Sequence, residues 1–335
     1  MRPPQTADFP IILAGLEAAA EVTRLRLLAL LAEAELTVSE LMTILGQSQP
    51  RISRHLKLLV EAGLIERHRE GAWAFFRVSD RGATGDLVRA LLAHIAAHDH
   101  VLAGDRARLA EARSARAAEA ARYFADHAQS WDRIRSLHVA EDVVENAIRE
   151  AVGDAPIHAL LDLGTGTGRM LELLAPQAER AVGVDQVPAM LNLARTRLER
   201  VGLRNVQLRQ GDMYALPVER NGYDLVIIHQ VLHYLDDPAR ALREAARVLR
   251  PGGRLIVVDF APHANEFLRE QHAHRRLGFA AGEIEGFMRE AGLAFVSHRD
   301  LATKRAAEKL TVSLWIARDP RIQSDVIAAS VREFA

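Results

Sequence analysis

Apolar residues recur at helical spacing from Ile11 to Glu33, through Leu16, Ala20, Leu27 and Leu31, which predicts one amphipathic helix near the start of the chain. Thr37 to Leu45 reads as a short second helix. Thr37 with Glu40 three positions on is a capping-box pattern, and Gly46 supplies the stop. A third helix begins at Ser48, a good N-cap residue, tolerates Pro50 in its first turn and ends at Gly63. From Leu64 to Ser79 the pattern changes to branched and aromatic residues around a turn at Glu70-Gly71, which predicts a hairpin. Asp86 to about Glu119 is rich in Ala, Arg and Leu and reads as one long amphipathic helix. A helix of that length needs a partner surface, and a dimer seam is the expected one. Tyr123 to Val152 is helical, with aromatic residues at Tyr123, Phe124 and Trp131.

From residue 157 on, short apolar runs alternate with helical segments. Strands are predicted at Ile157–Leu163, Ala181–Asp185, Val206–Gln210, Tyr223–His229, Arg254–Phe260, Ala294–Asp300 and Leu310–Ala317. Helices fall between them, opening at Met170, Met190, Ala239 and Ile284. Such alternation predicts an α/β, doubly wound, largely parallel sheet. With 335 residues the chain is long for one domain, and the pattern divides it at 1–105, 106–152, 153–318 and 319–335.

Composition narrows the chemistry. Lys plus Arg is 43 and Asp plus Glu is 44, so a globally basic nucleic-acid binder is excluded while a local basic patch is not. The chain has no cysteine, which removes disulfides, thiolate metal ligands and cysteine nucleophiles together. No apolar run is long enough for a membrane span and the first residues do not read as a secretory signal, so a cytoplasmic protein with no membrane partner is expected.

The third helix carries Arg51, Arg54, His55 and Lys57 with no acid between Ser48 and Leu58, while Ile52, Leu56 and Leu59 fall on its other side. Arg can chelate a guanine edge in the major groove, and Lys, Ser and helix N-terminal amides hold phosphates. Helix, tight turn, helix and two-stranded wing together outline a winged helix-turn-helix. The expected DNA contacts are Ser48, Gln49, Arg51, Ser53, Arg54, His55 and Lys57, with Arg67 and Arg69 from the wing. Residues 10–105 resemble ArsR-type repressors through Arg24-Leu-Arg-Leu-Leu, Thr37-Val-Ser-Glu-Leu and the run Gln49 to Ile65. The resemblance implies a homodimer with two recognition helices on a near-palindromic double-stranded operator. Metal-sensing members carry a Cys-x-Cys pair where Thr37 and Ser39 stand here, so thiolate sensing is excluded. His94, His98 and His100 with Asp99 share a helical stretch, but they are read as surface or interface residues and no metal is expected.

Leu160-Leu-Asp-Leu-Gly-Thr-Gly-Thr-Gly168 runs an apolar strand into a glycine-rich turn that lets a ligand approach the backbone. Asp185 ends the next strand, where an acid can accept from ribose hydroxyls, and Gly211-Asp212-Met213 follows the third. These motifs, with Tyr223-Asp-Leu-Val-Ile-Ile-His-Gln-Val-Leu-His-Tyr-Leu and Arg247-Val-Leu-Arg-Pro-Gly-Gly-Arg-Leu, resemble class I S-adenosylmethionine (SAM)-dependent methyltransferases over residues 123–317. The resemblance implies a Rossmann-like, seven-stranded sheet with an antiparallel last strand, binding SAM or S-adenosylhomocysteine (SAH). It places Asp162 near the methionine amino group, Gly164, Thr165, Gly166 and Gly168 around the cofactor, Asp185 on the ribose, and Asp212 and Met213 on the adenine. Gln186, Met190, His229, Tyr123 and Trp131 complete the expected cofactor set, with 106–152 as a helical linker and lid.

His229, His233 and Tyr234, at and just after the fourth strand, are the candidates to orient or deprotonate a methyl acceptor. The two domains together resemble bacterial regulators of methionine and SAM recycling. That implies a repressor whose second domain reads SAM or SAH as effector. The alternative is an active small-molecule methyltransferase carrying a DNA-binding domain.

Overall fold

In the first part of the chain, the helix expected over 11–33 is two helices, α1 (Phe9–Ala19) and α2 (Val22–Glu33). Glu21 is extended, and its carboxylate accepts the Arg24 N–H at 2.9 Å, so a new helix is capped where composition alone shows no break. The computed structural model describes residues 6–70, 73–79, 82–96, 98–128, 141–301 and 310–321. It divides into two units, Met1–Ala118 and Glu119–Ala335.

In the first unit, the two residues of β1 (Leu36–Thr37) lead into α3 (Val38–Leu45). The capping box forms as expected: Thr37 Oγ1 accepts the Glu40 N–H, and the Glu40 carboxylate accepts the Thr37 N–H at 2.8 Å. Gly46, at φ +65°, closes α3, and α4 (Gln49–Glu61) follows. Ser48 stands at the N-cap of α4, but its side chain makes no capping bond. Ile52, Leu56 and Leu59 of α4 are buried with Leu27, Leu30 and Leu41 in one core.

β2 (Ile65–Glu70) and β3 (Trp73–Val78) pair antiparallel as the wing, and β1 adds a third strand through Leu36 opposite Phe76. Gly71 of the expected turn lies outside the described residues.

The long helix expected from Asp86 is also two helices, α5 (Gly82–Ala93) and α6 (His100–His127). Asp99 stops the join, accepting the N–H groups of Val101 and Leu102, and the Leu102 bond foremost holds its carboxyl below the usual range. Among the described residues no group of three or more His, Cys, Asp or Glu that could hold a metal comes together. Asp105, 1% exposed, accepts two guanidinium N–H groups of Arg26 at 2.7 Å each and also pairs with Arg108. Arg108 in turn donates to the Ile44 carbonyl at 2.6 Å, so the start of α6 is tied to α2 and α3. The boundary expected after residue 105 falls inside α6, whose last turns belong to the second unit.

The second unit contains α7 (Glu141–Val152), β4 (Ile157–Leu163), α8 (Arg169–Leu174), β5 (Ala178–Asp185), α9 (Pro188–Arg200), β6 (Val206–Gln210), β7 (Tyr223–His229), α10 (Pro238–Val248), β8 (Leu249–Phe260), α11 (Phe267–His272), α12 (Ala281–Glu290), β9 (Ala294–Leu301) and β10 (Val312–Arg318). The sheet order is β6-β5-β4-β7-β8-β10-β9; β4 to β8 pair parallel, and β10 lies antiparallel between β8 and β9. This is the doubly wound sheet that the alternation predicts, with the seven strands and antiparallel last strand that the resemblance implies. Side chains alternate across the sheet: Leu161, Val226 and Val257 pack with Leu242 and Ile284 on one face. Leu160, Ile227 and Ile256 pack with Ile148 and Leu171 on the other. A sheet covered on both faces leaves its strand ends, where the loops gather, as the place for polar chemistry.

Candidate functional site

The carboxyl ends of β4, β5, β7 and β8 carry that chemistry. After β4 the chain turns through Gly164, Gly166 and Gly168 at φ of +71°, +52° and +81°, backbone that side-chain-bearing residues rarely adopt. Space decides the matter at Gly164: a Cβ there would lie 2.5 Å from Val231 Cγ2, so the bare backbone of this turn packs on the Val231 side chain of the loop after β7. The Gly164 and Thr165 N–H groups donate to the Val184 carbonyl at 2.8 and 3.0 Å, and buried Asp162 accepts the Thr165 hydroxyl at 2.5 Å. Asp185 clasps the turn from the next strand, accepting the Gly166 N–H on one oxygen and the Val187 N–H on the other, each at 2.8 Å. Burial pushes its carboxyl above the usual range, against the pull of those backbone bonds.

The other expected cofactor residues differ in burial and partners, and the Gly211 N–H, just ahead of Asp212, donates to the Asp185 carbonyl at 3.0 Å. Gln186 is exposed beside Asp185. Met190 is buried in a small cluster with Ala128 and Val187, against which Phe124 packs. Asp212 is exposed and accepts the Tyr214 N–H at 2.9 Å, while Met213 is buried in the core of one sheet face. His229 is half-buried at the end of β7. Tyr123, near the end of α6, bonds His272 Nδ1 through its hydroxyl at 2.7 Å, and burial pushes its phenol up. Trp131 lies outside the described residues.

Just after β7 is a group that the sequence only half revealed. His233, 1% exposed, meets Asp259 at the end of β8 through Nδ1···Oδ1 at 2.7 Å, and its backbone N–H also points to that carboxylate at 3.3 Å. Asp259 is wholly buried. The His274 ring stacks on His233 at 4.2 Å, Tyr234 lies 4.0 Å away, and Phe260 4.9 Å away. Burial, then the charges around it, pushes the Tyr234 phenol well up. Gln230, 6% exposed, sits at φ +54° with its N–H on the Val258 carbonyl at 2.7 Å. Asp259 and Gln230 are the functional candidates that sequence reasoning missed. The signal was there for Asp259: a lone acid closing the apolar run Leu255-Ile-Val-Val.

In the first unit, Gln49, Arg51, Ser53, Arg54 and Lys57 are all exposed on α4, as is Ser48 at its N-cap. His55 instead is turned toward Glu21, 3.7 Å away and 14% exposed, and burial foremost lowers its pKa. Arg67 is exposed on β2, with Arg69 two positions further along the same strand.

Residues 161–257 match the family model described as a methyltransferase domain, and residues 21–67 match that of bacterial regulatory proteins of the arsR family. The chain is 33% identical over 106 residues to the methyltransferase YcgJ of Bacillus subtilis, a match covering 31% of this chain and 42% of that protein. A solved structure of YcgJ aligns with a TM-score of 0.46 at 20% identity, covering 53% of this chain and 98% of that one. A demethylmenaquinone methyltransferase of Thermus thermophilus is 36% identical over 178 residues, which are 50% of this chain and 80% of that protein. The chain belongs to the methyltransferase family. The sequence match spans less than half of the Bacillus relative's length, and this methyltransferase-family protein carries an arsR-family segment ahead of its methyltransferase domain. The family implies SAM as methyl donor, and the bare-backbone turn at Gly164 with buried Asp162 and Asp185 fits such a group. Among the described residues no helix is long and apolar enough to cross a membrane.

Proposed function

We propose that this protein is a SAM-dependent methyltransferase for a small-molecule acceptor that also binds operator DNA as a homodimer. The observation that carries the enzymatic half is the Gly164–Gly168 turn clasped by Asp185 beside the buried His233–Asp259 pair. In this reading Asp162, Thr165 and the glycines hold the amino-acid end of SAM, Asp185 and Gln186 the ribose, and Asp212 and Met213 the adenine. SAM supplies a methyl group on a sulfonium. The protein's own part is to bind and orient the acceptor, to exclude water and to take up a proton, with His229, His233 and Tyr234 on the acceptor side.

The DNA-binding half is supported by the exposed cations of α4 over a buried apolar face. The homodimer is supported by α1, where Phe9, Leu13 and Leu16 form an apolar stripe 78%, 42% and 41% exposed.

A second reading is favoured by the arsR-family match at 21–67: SAM or SAH acts as effector and changes the affinity for DNA. A ligand does this only by binding two states of the protein with different affinity. The α6 helix, which contributes residues to both units, is the element to carry such a change.

Calorimetry with SAH and fluorescence anisotropy on upstream DNA test both halves. Asp185→Ala should weaken SAH binding at least about tenfold, as expected for a lost charged acceptor; unchanged affinity removes Asp185 from the cofactor site. Arg54→Ala should weaken specific DNA binding by about 1–3 kcal/mol at fixed salt, and an unaltered isotherm removes it from the reading helix. A DNA affinity that moves with SAM or SAH establishes the effector reading and tells which form is the signal.

A further inference from the structure

We propose that the methyl acceptor is a planar phenol whose hydroxyl is deprotonated by His233, with Asp259 as positioning residue and Gln230 as hydrogen-bond donor to the same oxygen; this rests on the methyltransferase reading above. The Asp259 carboxylate can only accept, so the 2.7 Å contact puts the ring proton of His233 on Nδ1 and leaves a lone pair on Nε2. Nε2 is buried and has no hydrogen-bond partner among the described residues. The Gln230 side-chain nitrogen, three positions earlier, is likewise buried and unpartnered. One orphan accepts a proton and the other donates one. A hydroxyl answers both, giving its hydrogen to His233 and receiving one from Gln230 on its oxygen.

In sequence Gln230 and His233 lie on either side of Val231, the residue whose side chain stands against Gly164 of the cofactor turn. A hydroxyl held by them is therefore next to the turn that serves the methyl donor. Ring faces surround His233 itself: Tyr234, His274 and Phe260 pack on it, and Phe124 meets Tyr234 edge-on at 4.7 Å. Flat ring faces suit a flat arene. An imidazole is also matched to a phenol as base, because an aliphatic alcohol holds its proton far more tightly. The charged and titratable groups facing His233 are Asp259 from β8, Tyr234 on its own turn and His274 after α11.

In the reaction the phenolic O–H bond breaks and its proton goes to His233 Nε2. An oxygen lone pair forms the new C–O bond as the S–CH3 bond breaks, and the electron pair of that bond stays on sulfur. Asp259 stabilises the imidazolium, which then returns its proton to water.

Two probes test this on the full-length protein saturated with SAH or supplied with SAM. With SAH bound and at mildly acidic pH, 4-nitrophenol should gain its phenolate absorption band on wild-type protein and fail to do so on His233→Gln. With SAM, turnover of catechol to its methyl ether should fall at least about a hundredfold in His233→Gln and in Asp259→Asn. Turnover of 4-nitrophenol at mildly alkaline pH, where it is already ionised, should fall by less than about tenfold, since the base is bypassed. The proposal is overturned where SAH binds every variant yet neither phenol gives a band or a product, or where both phenols lose turnover equally. A wild-type protein that does not bind SAH overturns the methyltransferase reading and this proposal with it.

Discussion

Gly164→Ala is expected to abolish measurable SAH binding while leaving the first unit folded. The backbone there is at φ +71°, and the added Cβ would meet Val231 at 2.5 Å from Cγ2 and 2.8 Å from Cγ1. Left-handed backbone under a side chain costs about 1–3 kcal/mol, and the overlap about as much again. The β-branched valine has few rotamers with which to yield, so the loop from Gln230 to Tyr234 must move instead. Calorimetry reads the loss directly. The double variant Gly164→Ala/Val231→Ala relieves the overlap but not the backbone strain, so it should recover part of the affinity. Full affinity in the single variant would mean that this turn is not built for close approach.

The second large effect is expected in the other unit. Asp105→Ala leaves Arg26 without the carboxylate that takes two of its N–H groups at 2.7 Å, in a place where the acid is 1% exposed. Removing one partner of a buried pair costs about 3–5 kcal/mol, against about 1 kcal/mol or less for a surface pair, and with the Arg26 side chain 18% exposed the loss here falls between the two. Denaturant titration of the full chain should show the first transition move to lower denaturant with its slope unchanged. Replacing both residues, as Arg26→Met/Asp105→Leu, should restore most of the stability, because Arg108, which also loses this carboxylate, has a side chain 45% exposed to water. A single variant that melts like wild type would make this a solvated pair despite its burial.

Much of this architecture was legible in the chain. Strand and helix alternate from residue 157 with the spacing that periodicity gives, and the capping box at Thr37 forms as written. The helix breaks at Glu21 and Asp99 were not legible, because neither carries a Gly or Pro and each depends on a carboxylate finding backbone N–H groups two or three residues on. Two residues of β1 are too short to show any alternation. At the site, the glycine turn and Asp185 declared themselves through spacing. The His233–Asp259 pair did not, because 26 residues and a whole helix separate its members, and only the register of β7 beside β8 brings them together. Met190 and Met213 are both buried in apolar clusters, where thioethers commonly fill irregular gaps.

The place of β10 bears on how the chain is made. This strand is the last of the sheet in sequence, but in space it lies between β8 and β9, pairing with both. Until residues 312–318 have left the ribosome, β8 presents an open row of backbone donors and acceptors, and β9 has no neighbour to pair with. The growing chain therefore exposes adhesive strand edges late in synthesis, after the first unit is already complete and able to fold. Nonsense mutations or proteolytic nicks ahead of residue 312 should then yield aggregates, not a shortened folded protein, with the first unit trapped as a folded passenger.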